Sequence, residues 1–246
     1  MADVAEDFGL IESLLYSNGY QRLERHLRRL RTAAAALGFP VSEPKVMELL
    51  NEQAASLDGH DYKVRLLLER DGTVWISAEE MVSPDAPLSV MIADVRVPSH
   101  DRLARYKTTR RTIFEQHALP ARELGLTDVL FLNERGELTE AANSNVFVEA
   151  GGELLTPPLS AGLLPGVYRE MVLETSPNAR EAKLTTEDLR QATAVYLCNS
   201  VRGWRQVTAA GTLKTVGAAP PRVWRCPWPA CLRPWAAARP AGRTRP

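Results

Sequence analysis

The chain has 246 residues, 45% of them hydrophobic and 24% charged, enough to bury a core in one domain or two small ones. Thirty basic and thirty acidic side chains cancel, which argues against a general nucleic-acid binder. No apolar run approaches a membrane span, the opening residues lack the pattern of a secretion signal, and three cysteines without framework spacing fit a reducing compartment, so the expected setting is the cytoplasm.

Residues 8–14 are apolar enough for an edge strand. Leu23, Leu27, Leu30, Ala34 and Leu37 then recur at helical spacing and stop at Gly38, before Phe39-Pro40. Arg22, His26 and Arg29 share another face of that helix. Such a face reads either as solvated charge or as an anion site presented from rigid backbone, and spacing leaves both open. A second helix is predicted over 43–56. Residues 62–68 and 74–77 read as strands, and Asp71-Gly72 between them favours a tight hairpin. A strand over 88–93 is expected to close this first unit, 1–94, with the polar stretch 95–104 as the connection to the next.

The second unit, 105–215, opens with Lys107 and a helix over 109–118 that Pro120 is expected to stop. A strand over 128–132, a turn at 133–136, a hairpin from 145–149 and 153–156, a helix from 166 to 174, a helix start at Thr186 and a strand over 194–198 follow. Both units mix helix and sheet, so the predicted class is α+β. From 216 to 246 the chain is rich in proline, tryptophan and arginine without any period, and it is expected to be disordered and to take no part in catalysis.

The chemistry lies in a constellation. Lys107 sits within Tyr106-Lys107-Thr108-Thr109-Arg110-Arg111, where neighbouring cations favour a neutral, nucleophilic amine. They equally suit a surface charge run. Gly166 precedes the helix that begins at Val167 and Tyr168, so free backbone N–H groups there suit a phosphate. Asn199-Ser200 after a strand end offers further donors, or is a simple turn. Glu140, before two alanines, suits a pyridine nitrogen, or is an exposed turn acid. A lysine, a carboxylate and two phosphate-sized loops together suggest pyridoxal phosphate as cofactor. No GxGxxG, Walker, HExxH or GxSxG motif occurs, and the four histidines have no metal-ligand spacing.

The same residues carry a resemblance. Gly9-Leu10-Ile11-Glu12-Ser13-Leu14, Arg25-His26-Leu27-Arg28-Arg29, Tyr106-Lys107-Thr108-Thr109, Gly136-Glu137-Leu138-Thr139-Glu140, Gly162-Leu163-Leu164-Pro165-Gly166 and Asn199-Ser200-Val201-Arg202-Gly203 stand in the order found in fold-type IV pyridoxal phosphate enzymes. Over roughly residues 8–207 the chain resembles the 4-amino-4-deoxychorismate lyases of that group most. The resemblance implies two subdomains with the cofactor between them, Lys107 as Schiff-base lysine and general base, and Glu140 at the pyridine nitrogen. It implies that Arg29, the backbone at Val167 and Tyr168, and Ser200 hold the cofactor phosphate. Arg111 and Arg202 are implied as contacts for substrate carboxylates. The implied reaction turns 4-amino-4-deoxychorismate into 4-aminobenzoate and pyruvate, in a homodimer that works beside an aminodeoxychorismate synthase, with no metal, nucleic acid or membrane. A fold-type IV aminotransferase and a non-catalytic relative are the alternatives. The chain departs from the family pattern at Tyr106 and Arg110, where relatives often carry His and Asn.

Overall fold

A computed structural model describes residues 8–82 and 88–207. The tail at 216–246 lies outside them, and so does the expectation placed on it. The described residues all belong to one compact unit, Met1–Thr215.

Three sheets organise it. The first is antiparallel, in the order β1 (Leu10–Tyr16), β2 (Tyr62–Leu68), β3 (Val74–Glu80). Helices α1 (Leu23–Leu37) and α2 (Glu43–Ala55) share its core, where Leu10, Leu27, Leu30, Val46, Leu50, Val64 and Leu68 are buried together. The spacing that predicted α1 is the spacing of this buried stripe. The helix ends where expected: Gly38 adopts φ 71° and donates its N–H to the Ala34 carbonyl, a left-handed cap that suits glycine.

The second sheet is short: β4 (Val90–Val97), β5 (Asp128–Asn133), β6 (Leu138–Ala141). Here the sequence expectation needs correcting. The strand foreseen at 88–93 does not close the first unit, because β4 pairs in parallel with β5 and runs through the boundary placed at residue 94. Val90, Ile92, Ala93 and Val97 are buried, and an apolar strand of this kind suits a parallel ladder covered on both faces. The crossover between them carries α3 (Thr112–Glu123). That helix also differs from expectation, since Pro120 lies inside it. Proline there forfeits only its own N–H bond, and Leu124 still closes the last turn on the Pro120 carbonyl at 3.1 Å.

The third sheet has the order β11 (Gly203–Val207), β10 (Ala194–Asn199), β7 (Asn145–Ala150), β8 (Glu153–Thr156), β9 (Ala179–Glu181), with α4 (Val167–Thr175) against β10 and β9. Short α5 (Thr186–Gln191) carries a complete capping box from Thr185 and Asp188. Strands β9 and β11 were not foreseen. No helix among the described residues is long and apolar enough to cross a membrane.

Candidate active site

The segment that bears Lys107 is not a free loop. Ile11 donates its N–H to the Lys107 carbonyl at 2.8 Å, Thr109 donates to the Gly9 carbonyl at 2.9 Å, and Gly9 donates to the Thr109 hydroxyl at 3.0 Å. A short antiparallel bridge, Leu10 to Thr108, completes the stitch. Gly9 is needed in this seam, because a Cβ there would meet the Leu68 carbonyl at 3.0 Å and the Leu67 side chain at 2.6 Å. Lys107 is thus carried on extended backbone against β1.

Its environment disarms the charge. Burial, then the guanidiniums of Arg111 and Arg29, bring the Lys107 ammonium down to about 7, against a weaker opposing pull from Glu12. The amine is therefore substantially neutral at physiological pH, as a nucleophile or base must be. Glu140 moves the other way. Burial raises its carboxyl to about 7, while the Leu164 N–H, which bonds Oε1 at 3.2 Å, and the cations Arg111 and Lys107 pull it down. It sits at the end of β6, fully inside the walls of the site.

The eight residues singled out from the sequence, Arg29, Lys107, Arg111, Glu140, Val167, Tyr168, Ser200 and Arg202, all line one cleft of about 640 Å³. At one end Gly166 caps α4 without a side chain, leaving the first-turn amides of Val167 and Tyr168 uncapped. Gly166 is required by space rather than by φ: a Cβ would collide with the Asn145 side-chain oxygen, whose amide donates to the Leu164 carbonyl at 3.0 Å. Ser200 is buried in a turn that Asn199 organises, accepting from the Val201 and Arg202 amides at 3.0 and 2.8 Å. Asn199 also donates to the Asn143 carbonyl and the Ser144 hydroxyl, which ties this turn to the one after Glu140. Arg111 donates to the Ala142 carbonyl and stands over the Phe114 ring, whereas Arg202 is exposed.

Arg29 resolves the ambiguity of its helix face. His26 is 1% exposed, and Arg29 lies against a buried carboxylate, so neither belongs to a solvated stripe. That carboxylate, Glu12, was missed as a site residue. It takes Arg29 Nε on Oε1 at 2.8 Å and Nη2 on Oε2 at 2.6 Å, and His26 Nδ1 approaches Oε2 at 2.7 Å. The signal was available: an acid among apolar strand residues must have a charged or hydrogen-bonded partner. Arg22 was read only as part of the face. It adopts φ 56°, donates to the Ser200 carbonyl at 2.7 Å and covers the Tyr168 ring, which joins α1 to two walls of the cleft. Arg65 was also missed. Its Nε is buried with no hydrogen-bond partner, and its charge is felt by Lys107.

Comparison with known proteins gives the family. Residues 9–210 match the amino-transferase class IV family. The chain belongs to it. A Schizosaccharomyces pombe protein named as a candidate aminodeoxychorismate lyase is 28% identical over 203 residues, covering 80% of this chain and 87% of that one. The crystal structure of a candidate amino-acid aminotransferase from Mesorhizobium loti superposes with TM-score 0.76 at 35% identity, covering 82% of this chain and 99% of the other. A hypothetical aminotransferase from Mycobacterium tuberculosis, solved with pyridoxal phosphate bound, shares the fold at TM-score 0.68 and 22% identity over 84% of this chain and 85% of its own. The protein is accordingly a mixed α/β, fold-type IV, pyridoxal phosphate-dependent family member.

The cleft fits that cofactor on its own chemistry. An aldehyde needs a neutral amine, and Lys107 has one. A phosphate needs amides and a guanidinium, and the uncapped α4 terminus lies beside Arg29, which donates to the Pro165 carbonyl one residue before Gly166. A ring nitrogen that is to stay protonated needs a buried carboxylate, and Glu140 is one. Among the described residues no group of histidine, cysteine and acidic side chains is arranged to hold a metal ion.

Proposed function

We propose that the protein is a lyase that converts 4-amino-4-deoxychorismate into 4-aminobenzoate and pyruvate. The observation that carries this reading is the charge of the cleft. Arg111, Arg122, Arg202 and Arg205 line it with Arg29, Lys63 and Lys107 and outnumber the acids Glu79, Glu80, Asp128 and Glu140, and Arg65 adds a partly buried guanidinium nearby. Such walls suit a substrate with two carboxylates better than a branched aliphatic side chain, which calls for an apolar pocket. The Schizosaccharomyces pombe relative carries the matching name.

When bound, pyridoxal phosphate supplies the aldehyde that captures the substrate amine and the ring that accepts the charge left by proton loss. In this reading Arg29, the amides at Val167 and Tyr168, and Ser200 hold its phosphate. Glu140 keeps a proton at its ring nitrogen, and that cationic partner draws the Glu140 carboxyl down from about 7 into its ionised form. Lys107, neutral from about pH 7 upward, removes the proton from the ring carbon that bears the amine. It then delivers that proton to the methylene carbon of the departing enolpyruvyl group, which leaves as pyruvate while the ring becomes aromatic. Arg111 and Arg202 orient the two carboxylates. The family's habit is a homodimer, and we include that assembly and delivery of the labile substrate by a synthase, in the cytoplasm, in the proposal.

The second reading is an aminotransferase, favoured by the 35% identity to the Mesorhizobium loti protein of that name. The test separates them. Purified holoenzyme receives freshly made aminodeoxychorismate, and 4-aminobenzoate and pyruvate are both quantified, with Lys107→Ala as control. Equal yields that vanish in the variant are expected. Lysine-dependent turnover of amino acids with a keto-acid acceptor, and no 4-aminobenzoate, would sink the lyase.

A further inference from the structure

Glu12 has no part in the roles assigned above, yet both its oxygens are held by charged or polar side chains in a buried setting. It is 2% exposed on β1, between Ile11 and Ser13, and it is 17 residues from Arg29 and 14 from His26. Burial opposes its ionisation, but the Arg29 charge and the hydrogen bonds from His26 and Arg29 outweigh that and hold its carboxyl at about 2. It is an acceptor at every working pH. The hydrogen of the His26 contact therefore belongs to Nδ1. His26 Nε2 is buried with no partner, so Glu12 is the one hydrogen-bond partner of this ring among the described residues.

The donors of Arg29 can then be counted. A guanidinium has five N–H bonds. Nε and one N–H of Nη2 go to Glu12, and one N–H of Nη1 goes to the Pro165 carbonyl at 3.2 Å. Two remain, one on each terminal nitrogen, left to meet an oxyanion. They belong to a side chain anchored at the residue before Gly166, where the uncapped amides of α4 begin.

We propose that Glu12, braced by His26, is a positioning residue that clamps one edge of the Arg29 guanidinium and presents its remaining N–H pair to the phosphate of the cofactor. This rests on the phosphate role given to Arg29. The clamp works against a competing effect, because Glu12 also neutralises part of the charge the phosphate would meet. Positioning prevails: without Glu12, two buried donors of Arg29 lose their acceptors and the side chain is free to leave the α4 terminus.

The experiment compares two ligands that differ only in phosphate. Apoprotein is titrated with pyridoxal phosphate and with pyridoxal, and the affinity ratio is read from the lysine-dependent absorbance band. Glu12→Gln is expected to lower that ratio about tenfold or more, the value of one or two charge-assisted hydrogen bonds, with pyridoxal affinity held. Arg29→Ala is expected to lower it at least as far, and adding Glu12→Gln to Arg29→Ala should change nothing further. If Glu12→Gln does not fold, Glu12→Asp keeps the charge on a shorter arm and should lower the same ratio. Equal loss for both ligands would make Glu12 merely structural and overturn the clamp. An unchanged or higher ratio would overturn it too, the latter by showing that Glu12 competes with the phosphate. If Arg29→Ala shifts the ratio and Glu12→Gln does not, only the clamp fails. If Arg29→Ala does not shift it, the phosphate role of Arg29 fails as well.

Discussion

Two buried carboxylates on different sheets, Glu140 in the wall of the cleft and Glu12 behind Arg29, titrate in opposite directions. Glu12, between Arg29 and His26, is held at about 2, whereas burial raises Glu140, which has one backbone N–H and no side-chain hydrogen bond from Arg111 or Lys107, to about 7. Burial costs both the same kind of penalty. The difference is whether the protein itself supplies the partner. Around Glu12 it does, and the result is a fixed scaffold. Around Glu140 and Lys107 it does not, and two groups poised near neutrality are left for a ligand to complete.

Removing the charge at Glu140 tests that contrast most severely. Glu140→Gln keeps the shape and the contact to the Leu164 N–H but cannot hold a ring proton, so turnover should fall about a hundredfold in a steady-state assay. Loss of less than about threefold would mean that Glu140 is a passive wall.

A subtler effect concerns the apoprotein alone. Between pH 4.5 and about 7 the folded state keeps a proton on Glu140 that the unfolded chain has released, so stability falls as pH rises across that window. From about 7 to 10.5 the unfolded chain keeps a proton on Lys107 that the folded state has released, so stability rises again. Glu12 behaves in the opposite sense to Glu140: its contribution is present above 4.5 and is lost as pH falls toward 2. Melting temperature followed against pH should therefore dip near neutrality, and Glu140→Gln should make the acid side of the dip shallower, leaving the part below about 6 that the buried Asp128 carboxyl contributes. A flat curve through neutrality would contradict the assigned titrations.

Gly166→Ala makes the smallest of these changes. The added methyl must displace the Asn145 side chain and with it the bond to the Leu164 carbonyl, so the α4 terminus shifts. Affinity for pyridoxal phosphate should weaken several-fold, on the order of 1 kcal/mol, while the fold survives. Calorimetry on the apoprotein reads both quantities.

Much of this was legible in the residues. The α1 stripe and its Gly38 stop, the Asp71-Gly72 hairpin and the order of the later strands follow from local period and turn chemistry. Lys107, Glu140 and the Gly166 loop could be singled out because each lies in a short motif, and the fold brings them to one cleft. Glu12 was quoted in a motif but given no role, because its partners lie on another element and only the fold brings them together. The β4 error has the same origin: nothing local in 88–97 says whether its neighbour is β3 or β5. The three-residue β9 lacks any period of its own. Pro120 misled because a general breaker was weighed without knowing that the last helical turn is held from beyond it.

The seam between β1 and the Lys107 segment has a kinetic side. Gly9 and Thr109 are separated by 100 positions, so this is a costly loop to close and belongs among the slow, late events of folding. During synthesis β1 can pair with β2 first, but its seam with the Lys107 segment can close only once residue 109 has been made. Until that closure the lysine is an ordinary solvated ammonium near 10.4. The lowered amine at Lys107 is therefore a property of the closed fold and not of the segment that bears it.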